Sequence, residues 1–157
     1  MRQVHPEKLL DSIGWGILQL LQEDARLSLS EIGRRVGLST PAVTERVRRM
    51  EEAAIITGYH ASVDATKAGY PLLVYMRLAV AGGENMVSRA TAAIKNMPEI
   101  LECHRITGTE SFMMRAGLTS VGHLEKLIDH LTPFGMTSTS TILSSPVPFR
   151  ALGPGQR

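Results

Sequence analysis

The chain has one cysteine, Cys103, in 157 residues. A single thiol gives no disulfide framework and fits a reducing compartment. Aromatic residues make up only 4% of the chain, too few for a single-strand nucleic-acid binder built on stacking platforms. Charge of one sign is also scarce, with a formal net of +2, which excludes a polybasic tail but not a local basic patch. No apolar run reaches membrane-spanning length, and "YPLLVYMRLAV" is interrupted by Arg77. The opening "MRQVHPEKLLD" lacks the apolar core of a signal peptide. Together these absences lead to the expectation of a soluble cytoplasmic protein with no membrane partner. What is present is 43% hydrophobic residues, enough for a packed core, in a length that fits one medium domain or two small ones.

The charge that exists is concentrated. Between Arg26 and Met50 there are six arginines, at 26, 34, 35, 46, 48 and 49, against Glu31 and Glu45. That is a local net of +4 in twenty-five residues, twice the net of the whole chain. Arginine is the side chain suited to bidentate contacts with phosphate and guanine.

The same region reads as three helices. Leu10, Ile13, Ile17, Leu20 and Leu21 recur at helical spacing, although Gly14 and Gly16 each weaken such a helix by roughly 1 kcal/mol relative to alanine. A second helix starts at about Ser28 or Ser30 and runs to Val36, with Ser28 and Glu31 placed for a capping box and Gly37 as its stop. Ser39 is placed to cap the third helix, Pro41 sits in its first turn, and Val43, Val47 and Met50 form its inner stripe. At about 100° per residue, Pro41, Thr44, Glu45, Arg48 and Arg49 then face outward. Two short helices joined by a few residues that include glycine form a helix-turn-helix, whose second helix enters the DNA major groove. Ser39, Thr40 and the first amides of that helix are suited to a phosphate. The competing reading is a solvated helix of an ordinary three-helix bundle; the arginine bias and the turn spacing favour the groove. The candidate contacts to double-stranded DNA are Arg26, Arg35, Ser39, Thr40, Pro41, Thr44, Glu45, Arg46, Arg48 and Arg49. Arg46 lies at the flank of the inner stripe and is assigned to phosphate or to packing.

After Ala54 the pattern changes. "IITGYHASVD" alternates as a strand does, and "DATKAG" has the composition of a boundary. From Pro71 the order is strand (Leu72–Val80), helix (Val87, Ala90, Ile94 and Met97 inward, stopped by Pro98), and strands Ile100–Thr107 and Phe112–Leu118. A helix (Val121, Leu124, Leu127, Ile128, Leu131) and a strand from Met136 to about Ser145 complete it. This βαββαβ order is the split, ferredoxin-like arrangement. The fold class is therefore α+β, a helix-turn-helix (winged-helix-like) domain at residues 1–54 followed by a ferredoxin-like domain at 71–148. A connecting strand and linker occupy 55–70 and a frayed tail 149–157.

Metal and catalytic chemistry find little support. His123 and His130 are seven residues apart, about 10.5 Å along a helix, too far for one ion. Cys103 and His104 are neighbours on a strand and point to opposite faces. No nucleophile elbow, glycine-rich phosphate loop or zinc-protease motif occurs. "TSTSTILSS" alternates as a half-buried strand does. No cofactor and no catalytic residue are assigned.

The stretches "ILQLLQEDARLSLSEIGRRVGLSTPAVTERVRRME", "IITGYHASVDATKAGY", "PEILECHRITG" and "TSTSTIL" resemble, in this order, the Lrp/AsnC (leucine-responsive regulator / asparagine-activator) family of prokaryotic transcription regulators. The resemblance spans Leu9 to Val147. It implies DNA binding by the helix-turn-helix, a second domain that makes homodimers and assembles them into rings such as octamers, and in many members an amino-acid effector. Departures are visible. Gly14 stands where the family usually has aspartate, and Gly135-Met136 replaces the usual Gly-Val. The Gly-Asp-Tyr-Asp type of loop reads Gly108-Thr109-Glu110-Ser111, leaving Glu110 as the carboxylate for a ligand ammonium. Ser111 is a weaker acceptor, and Thr139 with the amides near Gly108 and Thr109 would take the ligand carboxylate; the alternative is a plain polar turn. Two other functions share this architecture. One is a tetrapyrrole (sirohaem-type) decarboxylase-like enzyme, for which only His104, Arg105 and Arg115 are basic candidates near the sheet. The other is an architectural DNA-wrapping protein without a ligand.

Overall fold

The computed structural model describes residues 8–155. The opening segment scanned for a signal peptide therefore lies largely outside the described residues. Two compact units result, one of residues up to Ala61 together with those from Val147, the other Ser62–Pro146.

The first unit is built on α1 (Ser12–Glu23), α2 (Leu29–Val36) and α3 (Thr40–Glu52). Asp11 caps α1, its side chain accepting from the Gly14 N–H at 2.7 Å. Ser28 caps α2 by accepting from the Glu31 N–H, and α2 ends on Gly37 in the left-handed conformation (φ 73°) that glycine adopts without strain. Half of the expected capping box forms; the Glu31 carboxylate turns to Arg34 and Arg35 instead. Ile17, Ile32, Val43 and Val47 form the central core, flanked by Ile13, Leu20, Leu21, Leu29 and Val36. A second cluster joins Leu9, Leu18 and Met50 to Trp15, Ala53, Ile55 and Ile56. Helix α1 thus buries two stripes where one was expected. Gly14 is required rather than merely tolerated, because a Cβ there would fall 1.8 Å from the Leu9 carbonyl oxygen. Gly33 is similarly confined, with a Cβ 2.5 Å from the Leu38 carbonyl oxygen of the turn.

Three expectations need correction here. The strand at Ile55–Val63 does not form, and no wing flanks the helix-turn-helix among the described residues; Ile55 and Ile56 pack into the second cluster and the residues that follow carry no ladder. A strand exists only when a neighbour takes its hydrogen bonds, and none does so among the described residues. The domain boundary accordingly moves to Ala61, and Asp64–Tyr70 joins the second unit as an ordered turn, with Asp64 Oδ1 accepting from the Lys67 N–H at 3.1 Å. Within the tail, Gln22 donates to the Leu152 carbonyl at 3.0 Å and accepts from the Leu152 N–H at 2.9 Å, so one residue of it is held against α1.

The second unit is an antiparallel sheet of β1 (Leu72–Val80), β2 (Ile100–Arg105), β3 (Phe112–Leu118) and β4 (Gly135–Thr141), in the order β2-β3-β1-β4. Helices α4 (Glu84–Ile94) and α5 (Val121–Leu131) complete the βαββαβ order. One sheet face supplies Val74, Met76, Leu78, Phe112, Met114, Ala116 and Leu118 to a core shared with Ala90, Ile94, Leu127 and Leu131 of the helices. The other face carries Tyr75, Leu101, Met113 and Met136, all exposed. β4 alternates half-buried Thr137 and Thr139 with exposed Met136 and Ser138, as its sequence implied, but it ends at Thr141 rather than Ser145.

Candidate nucleic-acid interface and effector turn

Helix α3 is docked through Val43, Val47 and Met50, at most 7% exposed. Its opposite side carries Pro41, Thr44, Glu45, Arg48 and Arg49 in or near solvent, as the spacing implied. Ser39 takes the extended backbone of an N-cap, yet its hydroxyl makes no capping bond. The start of α3 therefore offers amides and a hydroxyl to an anion. The Thr44 hydroxyl donates to the Thr40 carbonyl at 2.8 Å, so its proton is engaged within the helix.

The arginines divide into kinds that spacing alone did not separate. Arg46 grips Asp11 with both terminal nitrogens, at 2.8 and 2.9 Å, and its side chain is only 28% exposed. Of its two candidate roles the structure supports packing, because Asp11 is already the cap of α1 and Arg46 ties α3 to it. The partner was missed in the sequence; an aspartate directly before an apolar-periodic run was the available signal. Arg48 is bonded to Glu45 and to Glu52, and Arg49 to Glu45. Arg34 and Arg35 share Glu31. Arg26 is exposed, with no side-chain partner among the described residues.

Arg46 holds the Asp11 carboxyl below the usual carboxylate range, aided by the Gly14 N–H. A depressed carboxyl stabilises the fold above its unfolded pKa, and that contribution is lost as pH falls through the lowered folded value. Asp11→Asn keeps a capping oxygen and removes the charge. It should lose part of the acid-induced drop in thermal midpoint below about pH 4. Asp11→Ala should in addition cost about 0.5–2 kcal/mol at neutral pH through the missing cap. Thermal melts of both variants against pH check this.

In the second unit, Gly108–Ser111 turns between β2 and β3, with Gly108 at φ 117°. Thr109 donates to Glu110 at 2.7 Å, and Arg77 reaches Glu110 at 3.9 Å and Ser138 at 3.1 Å. The Glu110 carboxyl lies below its ordinary value, chiefly through the Thr109 hydroxyl and its own backbone N–H, with Arg77 adding attraction. Two of the expected partners do not join it. Thr139 is paired with Met76 and so shares the helix-covered face, whereas Arg77 and Ser138 lie on the other. Side chains alternate across a strand, so neighbouring Ser138 and Thr139 face opposite ways. The Ser111 hydroxyl accepts from the Val80 N–H at 3.3 Å and serves the sheet end. Arg77 was the residue missed; a lone arginine within an apolar strand was its signal.

The basic groups considered for a tetrapyrrole do not converge. His104 and Arg115 share one sheet face, while Arg105, level with Phe112, lies on the other with its guanidinium 5.8 Å from that ring. Arg115 is beside Glu102 at 3.5 Å. Among the described residues no cluster of three or more His, Cys, Asp or Glu can hold a metal, and no helix is long and apolar enough to cross a membrane.

A helix-turn-helix whose second helix presents arginines outward, in a chain that also carries a ferredoxin-like unit, defines a DNA-binding regulator with a separate second domain. Comparison with known proteins makes this particular. Residues 10–51 match the AsnC-type helix-turn-helix domain and residues 73–152 the Lrp/AsnC ligand binding domain. The HTH-type transcriptional regulator LrpC of Bacillus subtilis is 36% identical over 135 residues, covering 86% of this chain and 92% of the relative. The leucine-responsive regulatory protein of Escherichia coli is 33% identical over 124 residues, covering 78% of this chain and 76% of the relative. The solved structure of B. subtilis LrpC superposes with a TM-score of 0.83 at 34% identity, over 89% of this chain and 99% of that one. The chain belongs to the Lrp/AsnC family and is a DNA-binding transcriptional regulator.

Proposed function

We infer that the protein binds duplex DNA as a symmetric homo-oligomer, reads it with α3, and responds to an amino acid. The observation that carries the reading is the outward side of α3, where Arg48 and Arg49 stand 52% and 50% exposed on a helix docked by its opposite stripe. Arg48 is the residue assigned to a guanine, and Thr44, Pro41 and the α3 start to the flanking backbone. Arg26, in the turn before α2, and Arg35, in the last turn of α2, are assigned to phosphates. Arg48→Ala should weaken binding to a site selected from a random duplex pool by roughly ten- to hundredfold and relax base preference at one position. Arg46→Ala should act through stability, lowering the melting temperature. An equal loss on target and random duplex for Arg48→Ala would remove the base-reading assignment.

Symmetry is supported by the uncovered sheet face. Leu73, Tyr75, Leu101, Met113 and Met136 lie there, and Leu73, Leu101 and Tyr70 approach one another around Gly117. An apolar face of this kind is covered in solution by another protein surface. A second copy of the chain satisfies it by a twofold axis and brings two helix-turn-helix units to one operator. The segment Ile55–Val63 then gains a strand partner in that copy. Assembly of dimers into an octamer is the further expectation.

Effector binding is assigned to the turn beside Arg77. Glu110 takes the ammonium, and Arg77 with the amides near Gly108 and Thr109 takes the carboxylate. Support comes from the match to a ligand binding domain and from the leucine response stated in the name of the E. coli relative. A thermal-shift screen of the twenty amino acids is expected to show at least one raised midpoint, by mass action. Glu110→Gln should then cut the affinity of that amino acid severalfold, because a charge-assisted hydrogen bond is about twice as strong as a neutral one. DNA affinity without ligand should not change. No midpoint shift at millimolar amino acid would remove the effector site.

A further inference from the structure

Helices α2 and α3 carry the same five-residue arrangement, Glu31-Ile32-Gly33-Arg34-Arg35 and Glu45-Arg46-Val47-Arg48-Arg49. In each, a glutamate precedes two arginines at the i+3 and i+4 positions, which a helix places beside it. Glu31 receives Arg34 at 2.7 Å and Arg35 at 2.6 Å; Glu45 receives Arg48 and Arg49, both at 2.8 Å. Arg48 also bonds Glu52. Each carboxylate therefore holds two guanidinium groups as a phosphate would. With Arg46 held by Asp11, five of the six arginines that make this region basic already have an acidic partner. Helix α3 itself is neutral, its three arginines matched by Glu45, Glu51 and Glu52.

Exposed pairs of this kind add little to stability. Their consequence for a DNA-binding surface is larger. Random duplex attracts a protein through phosphate charge alone, and every arginine satisfied internally subtracts from that attraction. We propose that Glu45, with Glu31 as its counterpart on α2, is a specificity-determining residue. It occupies Arg48 and Arg49 as an internal phosphate mimic and suppresses binding to non-target DNA. At a target, the guanidinium groups exchange it for guanine edges and phosphates, and the displaced carboxylate accepts from a cytosine exocyclic amine, as acidic side chains do in the major groove. On other sequences it meets phosphate oxygens and opposes binding. The Glu45 carboxyl is held down to about 2, first by Arg48 and then by Arg49, so the clamp stays charged at physiological pH. This inference rests on α3 being the reading helix.

The test compares the full chain with Glu45→Gln, Glu31→Gln, Glu51→Gln and Arg48→Ala, by fluorescence anisotropy on a mixed-sequence duplex and on the selected site, across a potassium chloride series. Glu51 lies on the same helix but binds the Tyr59 hydroxyl rather than an arginine, and glutamine retains an acceptor for it. Glu45→Gln should steepen the slope of log affinity against log salt by about 0.9 per protomer, close to a tenfold gain near 0.1 M salt. Glu31→Gln should shift affinity in the same direction, and Glu51→Gln much less. Circular dichroism confirms that each variant keeps its helix content. An unchanged or weaker Glu45→Gln on the mixed-sequence duplex, with Arg48→Ala still weakened on the selected site, overturns the clamp and leaves α3 as the reading helix. Equal gains from Glu45→Gln and Glu51→Gln reduce the effect to net charge and overturn it too. Unchanged binding of Arg48→Ala to the selected site removes the α3 reading and the clamp with it.

Discussion

Ile32→Ala is expected to abolish DNA binding while leaving the second unit folded. Ile32 has no exposed surface and sits among Ile17, Val43 and Val47, on the helix before the turn. Truncating such a side chain costs about 2–5 kcal/mol, the transfer term plus the cavity. A unit of this size has a small core and little stability in reserve, so a loss of that order empties the folded state. The sheet unit has its own core and shares none of these residues. Circular dichroism should show partial loss of helix, a gel-shift assay no complex, and sedimentation the same assembly state as the native chain. Native melting together with native DNA affinity would show that Ile32 does not hold α2 against α1 and α3.

Phe112→Ala should produce the reverse pattern. Phe112 is 2% exposed and faces the helices from β3, opposite Leu78 of β1. Removing its ring costs about 3–5 kcal/mol. It also opens the sheet between β2 and β1, since β3 lies between them. If the uncovered sheet face holds two copies together, the unfolded unit can no longer do so. Sedimentation should then report a smaller species than the native chain gives. DNA affinity should fall by roughly 10²–10⁴-fold, as binding through two linked half-sites becomes binding through one. The helical melting transition should persist. An unaltered sedimentation coefficient in a variant whose sheet has melted would assign self-association to other surfaces.

Local regularities carried most of the architecture. Helical spacing located Ile17, Ile32, Val43, Val47 and Met50 as a core, and all five are buried. Glycine and serine marked the turn, and Gly37 and Ser28 take the backbone forms those residues favour there. Period-two alternation in β1 and β4 marked the faces of the sheet, and the order of elements in the second unit followed from apolar patterns closed by turn residues. These features depend on neighbours within a few positions, so composition and spacing express them directly.

The sequence by itself determined two units, the order of their helices and sheet strands, their separate cores and the arginine-bearing helix after the turn, because each follows from the periodicity and turn residues of single helices and strands. Only the tertiary structure decided what distant residues do to one another. It committed Arg46 to Asp11, thirty-five positions away, and Gln22 to Leu152, 130 positions away, pairings that no local pattern encodes. It put Thr139 on the face opposite Arg77, because the register of β4 against β1 sets which side chains meet. It left Ile55–Val63 without a ladder, since a strand is defined by its neighbour rather than by its own alternation.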